Sequence, residues 1–150
     1  MNRRRKLILD ADGVFLSERP YWDAALATAL TLYGIFNIVA SEFVSLSALA
    51  FEQLGMQRLA KQYGCNSNWD LAAVMAKVLD DGEINRRVRK QLSEGKGAEA
   101  LSAIRTAVEE LATERTASTL SDTARAVADP LFRFGLDRNS ESFHELSNTY

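Results

Sequence analysis

The sequence predicts a mainly α-helical chain led by one buried β-strand. Three observations predict it. First, Lys6-Leu7-Ile8-Leu9-Asp10-Ala11-Asp12-Gly13-Val14 runs three aliphatic residues directly into an acidic turn, the pattern of a strand buried on both faces. Second, Leu101, Ile104, Val108 and Leu111 recur at spacings of three, four and three, which keeps one helical face apolar. Third, Pro20, Gly34, Gly55, Gly64, Gly82 and the Gly95-Lys96-Gly97 stretch divide the rest into mostly helix-length segments, with no second run that reads unambiguously as a strand.

The elements follow in chain order. Gly13 permits a sharp turn after the strand, so Asp10 and Asp12 stand at its carboxyl end, the edge where open α/β sheets bind ligands. Phe15 to Arg19 reads as a short loop or hairpin, and Pro20 opens a helix where its missing N–H costs nothing. That helix runs from Tyr21 to Tyr33 and stops at Gly34. Ile35 to Val39 fits a short strand or a helical continuation. Ser41 is the expected N-cap of a helix running toward Leu54, with Glu42 in its first turn and Gly55 as a break. Met56 to Tyr63 continues helically to Gly64.

Ser67 followed three residues later by Asp70 resembles a capping box, and Trp69, Ala72, Ala73, Ala76 and Leu79 then hold one face apolar up to the turn Asp80-Asp81-Gly82. Glu83 to Ser93 is a charged helix, and Glu94 to Gly97 a solvent-facing loop whose Gly-Lys-Gly lacks P-loop spacing. Arg105 and Glu109 lie one turn apart on the amphipathic helix and can pair. Ser121 or Asp122 caps a helix that stops before Pro130, Leu131 to Leu136 is a short apolar segment, and Asn139 or Ser140 starts a last helix containing Phe143 and Leu146. His144, the single histidine, reads as a surface residue rather than a catalytic base.

Composition narrows the function classes. The 150 residues suffice for one ordinary domain, and a hydrophobic share of 47% is that of a globular chain. The net charge of −2 offers no electrostatic case for nucleic acid or a membrane surface, and the basic run Arg3-Arg4-Arg5-Lys6 reads as a solvated lead-in to the strand. No apolar run approaches a membrane span or a signal peptide. Cys65 is the sole cysteine, so no intrachain disulfide is possible, and a cytoplasmic location fits.

The residues Asp10-Ala11-Asp12-Gly13 on their hydrophobic strand resemble the first motif of the haloacid dehalogenase (HAD) superfamily, most of whose members are phosphatases and phosphotransferases. The resemblance implies that Asp10 is a nucleophile forming an aspartyl-phosphate and that Asp12 is the general acid, protonating the leaving oxygen and later activating water. Dehalogenase members lack the second Asp, so Asp12 points to phosphoryl transfer. It also implies a Mg²⁺ ion held by the Asp10 carboxylate, the Asp12 backbone carbonyl and the phosphate of a small phosphorylated substrate. An EF-hand loop shares Asp-x-Asp-Gly, but setting Gly13 at its sixth position puts Ile8 and Arg19 where acidic ligands belong. The plainer alternative is a strand end whose acids start a solvated turn.

Many HAD enzymes insert a helical cap after this motif. On that resemblance residues 1–19 are the first strand and catalytic loop of a HAD-like core, and residues 20–150 a helical-bundle cap domain. In the loop before the capped helix, Asn66, Asn68 and Trp69 are the candidate substrate-facing cap residues, since amides and an indole suit recognition of a leaving group. The plainer alternative there is a helix N-cap beside a core tryptophan. The family's later motifs, a Ser or Thr, a Lys or Arg, and an acidic pair, have no counterpart; Asp80-Asp81 follows a helix rather than a strand and reads as a turn. The chain is therefore expected to be an incomplete, inactive portion of a phosphatase: an excised piece, a truncated gene product, or half of a split protein. Such a portion would bind a complementary C-terminal core chain or self-associate, because one strand makes no sheet. The alternative of another class is a non-catalytic helical module that binds a partner and retains the motif as a relic.

Overall fold

The computed structural model describes residues 18–114, 124, 125, 128–139, 141 and 144. The expected strand with Asp10 and Asp12, the basic run at 3–6, the expected cap at Ser121 or Asp122, and Phe143 and Leu146 lie outside the described residues. Within them the chain is mainly helical. Helix α1 spans Arg19–Leu32, α2 Phe36–Val39, α3 Phe43–Ala48, α4 Met56–Gln62, α5 Asn68–Asp80, α6 Gly82–Ser93 and α7 Gly97–Glu114, and a 3₁₀ turn covers Pro130–Phe134. No strand occurs among the described residues.

Helix α5 is the axis. It packs most extensively along α1 and also touches α6, α7 and the 3₁₀ turn. Nine of its 13 residues are buried, including Leu71, Val74, Met75, Val78 and Leu79. The spacing in the sequence predicts a single apolar face; the helix is instead enclosed nearly all round. Alanines explain how: Ala72 lies in the main core while Ala73 and Ala76 sit on a second face, covered by Tyr33 and Leu136. Trp69, expected on the apolar face, is 37% exposed. The core around α5 draws Trp22 and Leu26 from α1, Ile104 and Val108 from α7, and Leu131 and Phe134 from the 3₁₀ turn. Burying such side chains is worth about 1.5–3 kcal/mol each.

Local chemistry sets the boundaries. Pro20 stands in the first turn of α1, as the sequence predicts. Ile35 to Val39 resolves as helix, not strand. Ser41 does not cap α3; Glu42 takes that position without a side-chain cap bond. Beyond Ala48 the chain widens into one π turn, Leu49–Gln53, closed by the Leu54 N–H on the Leu49 carbonyl at 3.0 Å. Gly55 then turns the chain at φ +59°, a left-handed conformation that favours glycine. Arg105 donates to the Leu54 carbonyl left at that break (3.0 Å) while pairing with Glu109 at 2.7 Å. That i,i+4 pair is therefore also a tertiary clamp. Across the molecule, Arg89 of α6 donates to the carbonyl of Tyr33 and to Asn85 Oδ1 (2.8 Å), so it caps the carboxyl end of α1.

Candidate functional site

At the amino end of α5 the fold leaves a surface cleft of about 310 Å³ lined by residues from three elements. Glu18 and Tyr21 come from the start of α1. Gln57 and Lys61 stand four residues apart on α4, so they share a face. Asn66, Ser67, Asn68 and Trp69 come from the link into α5. The three candidate cap residues Asn66, Asn68 and Trp69 thus meet in one cleft. Glu18, Tyr21, Gln57 and Lys61 were not legible as site residues, because their approach depends on how α1 and α4 cross α5.

Local hydrogen bonds and an ion pair hold the floor of the cleft. Ser67 Oγ accepts the Asp70 N–H (3.1 Å), and Asp70 Oδ2 accepts the Ser67 N–H (3.3 Å), completing the expected capping box. Asp70 is only 4% exposed, and its other oxygen faces Arg138 Nη2 at 2.9 Å. Arg138 also reaches Asp129 Oδ1 at 3.4 Å, and Asp129 caps the 3₁₀ turn by accepting the Leu131 N–H at 3.1 Å. A buried carboxylate in this setting holds the segment 129–139 against the start of α5. Tyr63 and Phe134 add an edge-to-face contact at 5.9 Å. Gly64 lies against Pro130: its φ is +92°, and a Cβ there would sit 2.7 Å from the Pro130 ring.

The wall carries one charge pair and several amides. Lys61 Nζ donates to Glu18 Oε1, so a cation and an anion neutralise each other inside the cleft. Asn66 Nδ2 donates to the Gly64 carbonyl at 3.2 Å. Gln57 is 7% exposed and lines the wall. Trp69 and Asn68 also border a smaller cavity of about 110 Å³ between α1 and α5. Cys65 lies beneath, fully buried; burial above all, with the Asp70 carboxylate adding, pushes its thiol up to about 12. It is no thiolate nucleophile at neutral pH.

Among the described residues no group of three or more His, Cys, Asp or Glu stands together as a metal site. The two acids nearest the cleft are engaged, Glu18 by Lys61 and Asp70 by Ser67 and Arg138. The described part of the cleft therefore does not fit a Mg²⁺ ion, and Asp10 and Asp12 lie outside it. Asp80 accepts the Tyr33 hydroxyl (3.4 Å) and Asp81 caps α6, so that pair serves two helices rather than a metal. No helix among the described residues is long and apolar enough to cross a membrane. No family model, curated protein or solved structure matches the chain.

Proposed function

We propose that the chain is the N-terminal portion of a HAD-like phosphatase, in which Asp10 and Asp12 serve phosphoryl transfer and the helical region from Pro20 onward forms the cap that receives the leaving group. One observation carries this reading. The cleft that gathers Asn66, Asn68 and Trp69 is bordered by Glu18, six residues after Asp12. Covalent geometry keeps the Cα atoms of Asp12 and Glu18 within roughly 20 Å of each other. A cap cleft and an acidic motif so tethered suit a small phosphorylated substrate. On the same resemblance Mg²⁺ belongs to Asp10 and Asp12, and the lysine or arginine and the acidic pair that organise charge in the transition state belong to a complementary core.

The test has two arms. Alone, the chain should hydrolyse an aryl phosphate negligibly in Mg²⁺. Co-expressed with a HAD core that carries the later motifs, it should yield a soluble complex whose Mg²⁺-dependent hydrolysis is abolished by Asp10→Asn. Activity of the isolated chain that requires Asp10 would mean that other residues here replace the missing motifs. In the complex, Asn68→Ala should raise KM while leaving thermal stability nearly unchanged.

A second reading, a non-catalytic partner-binding module, is favoured by one feature. The described helices build a continuous core of their own around α5. A stable monomer that ignores the added core would make this the better reading.

A further inference from the structure

The cleft shares a wall with a second space of different character. The cavity of about 110 Å³ between α1 and α5 has Asn68 and Trp69 in common with the cleft, and its other lining residues are Ala24, Ala25, Thr28 and Ala72. The Thr28 hydroxyl is spent on the Ala24 carbonyl at 2.7 Å, so this chamber presents mainly alkyl surface. Small apolar cavities take apolar guests, and one of about 150 Å³ accepts benzene. On that scale the chamber has room for a branched chain of roughly three or four carbons.

On the cleft side stands the pair of Lys61 and Glu18. It uses one carboxylate oxygen and one of the three ammonium hydrogens. Each side chain remains 32% exposed, so each can take a second partner of opposite charge. A lone anion would gain Lys61 but meet Glu18, and a lone cation the reverse. A molecule that carries both charges satisfies both.

From these adjoining spaces we infer that the cleft binds a free α-amino acid with a branched aliphatic side chain of roughly three or four carbons. Its carboxylate meets Lys61, its ammonium meets Glu18, and its side chain enters the alanine-lined cavity beside Trp69. Asn68, which borders both spaces, offers the head group an amide that donates and accepts. The inference takes the cleft as the ligand site, as the phosphatase reading does, but requires neither Asp10 nor Mg²⁺.

The experiment uses the full chain, ¹⁵N-labelled, without Mg²⁺ or phosphate. Glycine, alanine, valine and leucine are titrated while the Trp69 indole N–H is followed, assigned by Trp69→Phe. Trp22, whose indole donates to the Ser47 carbonyl at 3.2 Å in the core, is the internal control. Valine or leucine should give a saturable shift of Trp69 and none of Trp22. Affinity should rise about fourfold for each carbon added from glycine to valine, the worth of burying a methylene. Isovalerate and isobutylamine keep valine's branched chain with one charge each, and both should bind about tenfold more weakly than valine or worse. Ala24→Leu, which fills the cavity, should bring valine down to the affinity of glycine and leave glycine unchanged. If that variant melts early and loses both ligands, the side-chain series on the parent decides. The inference is overturned if no amino acid of the series saturates, if glycine binds as tightly as valine, if either singly charged analogue matches valine, or if folded Ala24→Leu keeps the series. Valine binding by a chain that gives no phosphatase activity with an added core keeps this inference and removes the phosphatase one; an active complex blind to valine does the reverse.

Discussion

Helices α5 and α6 are consecutive, nearly equal in length and joined at Asp81, yet they are held by opposite physics. Helix α5 buries nine of 13 residues, whereas α6 fully buries only Val88 of its 12. The first is an apolar axle; the second is a charged cover that contributes through Arg89 reaching the end of α1. Their caps differ in the same way. Asp70 completes the Ser67 capping box of α5 from a buried position and is shared with Arg138, while Asp81 caps α6 in full solvent contact, accepting the N–H groups of Glu83 (2.8 Å) and Ile84 (3.0 Å). The lesson is that a similar local signal, an acidic residue in the first turn or at the cap of a helix, takes its energetic weight from what surrounds it.

The sharpest way to break the comparison is truncation on each helix. Leu79→Ala in α5 should cost about 2–5 kcal/mol by urea unfolding, since it empties a fully packed position. Arg87→Ala on the exposed side of α6 should stay within about 0.5 kcal/mol. Equal costs would show that α5 is not the axis.

The caps give the next contrast. Asp70→Ala removes the side-chain half of the capping box, the bond from the Ser67 N–H, and takes away the carboxylate that Arg138 faces, so a loss of about 1–3 kcal/mol is expected, discounted because the arginine is partly solvated. The loss for Asp81→Ala should be smaller, and it should depend on pH. Backbone hydrogen bonds from Ile84 and then Glu83 hold the Asp81 carboxyl below its ordinary value of 3.8. A carboxyl lowered in the folded state stabilises above its unfolded value and loses that contribution as pH falls through the folded one. Urea midpoints of parent and Asp81→Ala, measured from neutral to acid pH, should therefore converge below pH 3.8. A difference that persists unchanged into strong acid would remove the electrostatic explanation of this cap.

The smallest effect lies at the other end of α5. Burial first, then the charge and hydrogen bond of Asp80, raise the Tyr33 hydroxyl from 10.0 to about 12. A group raised in the folded state contributes fully below its unfolded value and loses that contribution as pH climbs through the folded one. Alkaline spectrophotometric titration should show one tyrosine ionising late, a feature absent from Tyr33→Phe. Between pH 10 and 12 the parent should lose a small stability increment that Tyr33→Phe lacks.

Much of the helical order is legible because it is written locally. Pro20 in the first turn of α1, the Ser67–Asp70 box and the spacing of Leu101, Ile104 and Val108 each act within one or two turns, and each stands where expected. The departures have tertiary causes. Ser41 is a good cap by type, but α3 starts beyond it, at Phe43. Trp69 belongs to an apolar pattern, yet the amino end of α5 borders a cleft and leaves it half exposed.

The sequence by itself determined the starts of α1 and α5 and the apolar face of α7, because capping, proline placement and apolar spacing are interactions between near neighbours. It also determined which polar residues punctuate the start of α5, Asn66 and Asn68 among them. Only the tertiary structure decided that Gln57 and Lys61 of α4 stand opposite Glu18 and Tyr21 of α1 across those amides. Residues 18 and 61 are far apart in the chain, and nothing local makes them partners. Their meeting follows from the packing of α1 and α4 against a common apolar core, a choice set by the shapes of buried side chains such as Trp22, Met56 and Leu71 rather than by any motif.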